Sequence, residues 1–174
     1  MDNIFNKILK AAIIAVVCLT MCGCSAKRDV IFYGEYVDTS GKTNAAYLKS
    51  YLIMDCCEEW DEFVDFARHI KGASAVEGFE YHLYDENGEE VPLKEDITVT
   101  FHPTDDFLSK DGELVVCSYP NGYMYQVTPG SDGDVVFSTK ESGIFLAVKK
   151  GSESLWISNL PDCTGQCRTC SDEW

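Results

Sequence analysis

Basic residues are scarce in this 174-residue chain: 14 Lys and Arg stand against 29 Asp and Glu, for a formal charge of −15. A surface that acidic repels phosphate backbones and anionic headgroups, so nucleic acid is excluded as a partner. Catalytic and nucleotide signatures are missing too. The chain has no P-loop, GxGxxG or HExxH string. It has no GxSxG string either. With them go a phosphate cradle, a dinucleotide turn, a zinc-peptidase helix and a nucleophile elbow, and no cofactor is expected. A third lack is a long apolar run. The stretch Ala11–Cys22 falls short of the roughly 20 residues that cross a bilayer comfortably.

That short run has another use. Lys7 and Lys10 precede it and Gly23-Cys24-Ser25 follow it. A basic flank, a short apolar core and a small residue before the cut form a secretory signal peptide. The segment ending at Cys24 resembles a bacterial lipoprotein signal, in which the cysteine after the cut carries the lipid. The resemblance implies a signal peptide over residues 1–23 and a diacylglyceryl group on Cys24. Two acyl chains anchor stably where one is marginal, at about 0.8 kcal/mol per buried CH2. The expected partner is then the membrane, through that lipid. The expected location is the outer face of the cell membrane, or a periplasmic leaflet in a host with two membranes. Cleavage without lipidation and an uncleaved anchor are the alternatives.

Cleavage removes Asp2, Lys7 and Lys10 and moves the formal charge from −15 to −16. The remaining chain fits one domain with a sizeable core. Val, Ile, Leu, Phe, Tyr and Trp are plentiful, which argues against disorder.

Residues 24–29 read as a polar tether. Val30–Val37 reads as a first strand and Asp38-Thr39-Ser40-Gly41 as a turn. Residues 44–70 read as a helical hairpin. Tyr47, Leu48, Tyr51 and Leu52 recur at helical spacing, as do Trp60, Phe63, Val64, Ala67 and Ile70, with a break at Asp55-Cys56-Cys57. Acids lead the second segment, Arg68, His69 and Lys71 close it, and Gly72 stops it. Gly72–Ala75 looks like a linker, and residues 30–76 form an N-terminal unit.

From Phe79 the period changes to two. Phe79, Tyr81 and Leu83 share one face, and Ile97, Val99 and Phe101 share another. Turns fall at Asp85–Gly88, Asn121-Gly122 and Gly130–Gly133. The acidic loops Asp85–Glu90 and Asp132–Asp134 lack EF-hand spacing and read as turns. Many short strands with regular turns predict an antiparallel β-sandwich over 77–158, so the fold class is α+β.

This stretch carries a second resemblance. Phe79–Pro92 holds the pattern Leu-x-Asp-x-x-Gly-x-x-Val-x-Pro. Ile97–Phe101 and Glu113–Tyr119 follow, and Asp134–Thr139 with Gly143–Val148 closes it as Val-x-Phe-x-Thr … Ala-Val. The order is similar to an Ig-like or ZU5-like β-sandwich module of secreted and wall-attached proteins in Gram-positive bacteria. The resemblance implies a non-catalytic spacer or binding module.

The tail, residues 159–174, holds Cys163, Cys167 and Cys170. With Cys56, Cys57 and Cys117 they make an even set in an exported chain, which favours disulfides. Neighbours Cys56 and Cys57 rarely bond each other, so the tail is expected to be stapled to them through Cys163 or Cys167. A loop of that length is worth about 4–5 kcal/mol in the chain-entropy model. A four-coordinate metal, a redox pair at Cys167–Cys170 and free thiols compete with that reading. Cys117 reads as a small buried hydrophobe. His82 and His102 sit on polar strand faces and would meet if their strands paired. Tyr119, Tyr123 and Tyr125, with Met124, cluster at one turn and are candidates for stacking on a glycan or anchoring a surface protein. The functional expectation is a non-enzymatic surface module that binds or spaces. The alternative is a thiol-based redox or metal-binding lipoprotein that uses the tail.

Overall fold

The computed structural model describes residues 28–53, 60–151 and 156–157. The leader, Cys24, Cys56, Cys57, Cys163, Cys167 and Cys170 lie outside the described residues. Two mostly antiparallel sheets pack face to face as a β-sandwich. The first contains β1 (Arg28–Phe32), β2 (Val37–Thr43), β5 (Ile97–Phe101), β9 (Val135–Thr139) and β8 (Thr128–Pro129), in that spatial order. The second runs β11 (Trp156–Ile157), β4 (Ala73–Tyr84), β10 (Gly143–Lys150), β6 (Glu113–Ser118) and β7 (Met124–Tyr125). A further strand, β3 (Tyr47–Leu52), pairs with β4 as well. The β11–β4 pair is parallel.

The period-two pattern explains the space between the sheets. Ile97, Val99 and Phe101 of β5 and Val135 and Phe137 of β9 face Phe79, Tyr81, Leu83, Phe145 and Ala147 of the second sheet. Phe79 stacks on Phe101 with ring centroids 4.0 Å apart and on Phe145 at 5.7 Å. Such pairs add about 0.5–1.5 kcal/mol beyond their area.

The second sheet is covered on its outer face too. Val76, Cys117, Leu146 and Val148 point away from the sandwich and meet Phe63 and Ala67 of a helix, α1 (Trp60–His69). Burial on both faces is why β10 reads as an unbroken apolar run instead of alternating. The helix carries Asp61 and Glu62 in its first turn and Arg68 and His69 in its last, as the dipole favours. Gly72, at φ +77°, turns the chain into β4. A second, one-turn helix, α2 (Asp105–Leu108), is capped by Thr104, whose Oγ1 accepts from the Phe107 N–H at 3.3 Å.

Several local expectations are corrected. Of the helical hairpin over 44–70, residues 60–69 are helical but Tyr47–Leu52 is strand β3, paired from Tyr47↔Tyr84 to Leu52↔Phe79. Six residues with paired apolar positions fit either period, and the open edge of β4 supplies the hydrogen bonds that decide it. Asp38–Gly41 is no turn: β2 runs straight through it. Gly41 is needed for close approach, since a Cβ there would lie 2.9 Å from Ile97 Cγ2. The strand foreseen over Val30–Val37 is broken between β1 and β2, where the Gly34 N–H bonds Asp38 Oδ1 at 3.1 Å. The Gly72–Ala75 linker is mostly strand, because Ala75 and Val76 are completely buried on opposite faces of β4. That strand runs through residues 76 and 77, where the sequence suggested a boundary between units. No helix among the described residues is long and apolar enough to cross a membrane.

Candidate binding groove

The turn between β6 and β7 projects beside the C-terminal half of α1. Gly122, at φ +71°, gives the turn its positive dihedral and donates its N–H to Ser118 O at 2.8 Å. Tyr119 ties the turn to the helix. Its ring meets Phe66 edge-on at 5.1 Å, and its hydroxyl donates to Glu62 Oε2 at 3.4 Å.

Between turn and helix lies an open groove of about 320 Å³. It is lined by Phe66, His69, Ile70, Lys71, Gly122, Met124 and Lys150. Strand register explains the lining. Met124 pairs with Cys117, whose side chain lies on the outer face of the sheet. Lys150 falls on that face by alternation from Leu146 and Val148. Phe66 lies in the last turns of α1 and Ile70 directly follows its end. The lining is therefore apolar at Phe66, Ile70 and Met124 and basic at His69, Lys71 and Lys150. His69 Nδ1 lies 2.6 Å from the carbonyl of Asp65, so it is the protonated nitrogen.

The three candidate tyrosines do different jobs. Tyr123 is open surface at 62% exposure, next to Met124 at 48%. Tyr119 is a strut. Tyr125 pairs with Val116 and turns inward, its ring 5.4 Å from Phe137 and its hydroxyl donating to Glu141 Oε2 at 3.1 Å. Alternation along β7 carries Met124 outward and Tyr125 inward, which the cluster in sequence conceals.

Cys117 is buried, as its apolar context suggested. Burial pushes its thiol up to about 11, so it is no ready thiolate. His82 and His102 do not meet, because β4 and β5 belong to different sheets. His82 lies between Glu80 Oε1 at 2.7 Å and Glu90 Oε1 at 2.8 Å. The Glu80 hydrogen bond, opposed by burial, raises the pKa of that imidazole. Ser142 donates to Glu90 at 2.6 Å, and this bond, followed by the one from His82, lowers the Glu90 carboxyl. The Ser142 hydroxyl thus donates to a carboxylate and not to the imidazole. His102 lies 2.8 Å from Asp134 and 3.4 Å from Asp38. The Asp85 carboxylate serves its own turn, accepting from the Asn87 and Glu89 N–H groups at 2.8 and 3.0 Å. Among the described residues, no group of three or more His, Cys, Asp or Glu is arranged to hold a metal.

One buried acid escaped sequence reasoning. Glu77 is 1% exposed and shares the interior face of β4 with Phe79. Its Oε2 accepts from the Thr104 N–H at 3.0 Å, while Oε1 has no partner in the structure. Burial raises its pKa, against the Thr104 hydrogen bonding. The signal was present: a lone acid at a core-facing register, two residues before Phe79.

Comparison with family models, with curated proteins and with solved structures found no match. The two resemblances therefore rest on sequence motifs alone.

Proposed function

We propose that this chain is a lipid-anchored surface protein, held by Cys24, that binds a ligand through the groove between α1 and the β6–β7 turn. On this reading the sandwich is an Ig-like or ZU5-like module, and the ligand belongs to a surface protein or glycan or is a small molecule met outside the cell. One observation carries the reading: exposed Met124, next in the chain to exposed Tyr123, lines a partly apolar hollow whose wall is held by the Tyr119–Phe66 contact. Exposed aromatics on a rigid support are typical of recognition surfaces.

The test uses the mature chain, residues 24–174, on immobilised cell-wall glycans, surface peptides and small apolar anions. Binding that disappears in the Y123A/M124A variant, with unchanged circular dichroism, supports the reading. Binding indifferent to both substitutions refutes it. Cys24→Ser should move the protein out of the membrane fraction and remove the diacylglyceryl mass from its N-terminus.

A second reading, a thiol-linked tail, is favoured by one feature of the second sheet. β3 and β11 occupy the same edge of β4 and approach head-on. Ile53 bonds Gly78 O at 3.0 Å, and Ile157 pairs with Val76, leaving only Glu77 between them. Ile53 and Ile157, the last described residues before each cysteine group, thus face each other along that edge. Cys56 follows Ile53 by three residues and Cys163 follows Ile157 by six. At 3.3–3.6 Å per residue, those cysteines stay within about 11 and about 22 Å of Ile53 and Ile157. A bond from Cys56 or Cys57 to Cys163 or Cys167 is therefore within reach. Peptide mapping without reduction checks it. Six free thiols, or bound zinc, would sink the staple.

A further inference from the structure

We infer that the groove is a site for a small amphipathic monoanion, an apolar body carrying one carboxylate; this rests on the binding reading above. The lining states both halves of the ligand. Phe66, Ile70 and Met124 offer apolar contact, and a volume near 320 Å³ lies at the small end of ligand pockets.

The charge half has a separate basis. Lys71 and Lys150 come from distant parts of the chain, yet the residues after them are clamped together: the Gly151 N–H donates to Gly72 O at 2.9 Å. Lys71 and Lys150 thus line one hollow together with His69. No carboxylate of the described residues is ion-paired with either lysine. Two lysines on one hollow give it a positive potential, and an anion there is attracted by both. The chain around them is strongly acidic. A basic hollow on an acidic protein is a local exception created by packing, and it complements an anion.

The same acidity limits the ligand to one charge. Every added negative charge is opposed by the field of the whole molecule, which is screened over about 8 Å at physiological salt. A second charge also loses more hydration on entering an apolar hollow. A monoanionic carboxylate meets both lysines at the lowest such cost.

Titration of the mature chain with 4-phenylbutyrate, 4-phenylbutanol and 4-phenylbutylamine, followed by amide chemical shifts, separates the contributions. The acid should bind about tenfold more tightly than the alcohol, with the amine weakest. Shifts should centre on Phe66, Ile70 and Met124. The K71Q/K150Q variant should bring acid and alcohol within about twofold of each other while alcohol binding persists. An acid no tighter than the alcohol overturns the inference, as does an acid advantage that survives K71Q/K150Q. If no phenyl probe binds while Y123A/M124A still abolishes glycan or peptide binding, the ligand class is wrong and the binding face stands. If neither holds, both fall.

Discussion

Gly78 is the position where a single methyl group should do most harm to the helix-on-sheet contact. It lies in β4 directly under α1, and a Cβ there would sit 2.5 and 2.7 Å from Cε2 and Cζ of Phe63. The ring cannot readily swing away. Phe63 is 2% exposed, and Trp60 stacks on it at 5.6 Å. Two effects oppose each other in Gly78→Ala. Replacing a strand glycine gains about 0.5–1 kcal/mol of backbone entropy. Overpacking a filled core costs about 1–3 kcal/mol. The clash is with a buried aromatic ring, so overpacking should win by about 1–2 kcal/mol. For a chain of this size that is a Tm drop of about 2–4 °C per kcal/mol. Urea denaturation of the wild type, Gly78→Ala, Phe63→Leu and the double variant makes a cycle. Phe63→Leu destabilises by itself, but it frees the space that the alanine methyl needs. The double variant should therefore be more stable than the sum of the singles implies, with a coupling of about 0.5–3 kcal/mol. A neutral or stabilising Gly78→Ala, or strict additivity, would refute the claim that the glycine seats the ring.

Glu77→Gln tests the buried acid. Because burial raises the Glu77 pKa, its contribution is full below the ordinary carboxylate range and is lost as pH rises through the native value. The wild type should lose stability relative to Glu77→Gln as pH rises above the ordinary carboxylate range, and a flat difference curve rejects this. His82 has a raised pKa of the cationic kind: its stabilisation is present below about 6.5 and fades as pH climbs through the native value. NMR titration should place His82 above the free imidazole, and His82→Gln should erase that portion of the pH dependence. Thr104→Ala removes the cap of α2 and should cost about 1 kcal/mol in urea denaturation. It keeps the N–H that bonds Glu77 but removes the hydroxyl, whose hydrogen bonding also holds the Glu77 carboxyl down, so the pH step assigned to Glu77 should move to higher pH.

Much of the sandwich was legible because a half-buried strand announces itself by alternation. Ile97, Val99 and Phe101 and the turns at Asp85–Gly88 and Asn121-Gly122 were readable from neighbours alone. Tyr47–Leu52 was not. Its short apolar spacing suits a helix as well as a strand, and only the edge of β4, far along the chain, chose between them. The groove was half legible. Tyr119, Tyr123 and Met124 stood out as a cluster, but nothing local showed that Tyr125 turns inward or that α1 forms the opposite wall.

From its own order of residues, then, the chain determined the alternating strands, the dipole-matched helix, the tight turns and the excess of acid, since each depends on groups a few positions apart. Which edge β3 joins, the burial of Glu77 beside Thr104, and the placement of Lys71 and Lys150 on one hollow were decided only in three dimensions. Those contacts join residues separated by dozens of positions, and their energies exist only once the layers have packed.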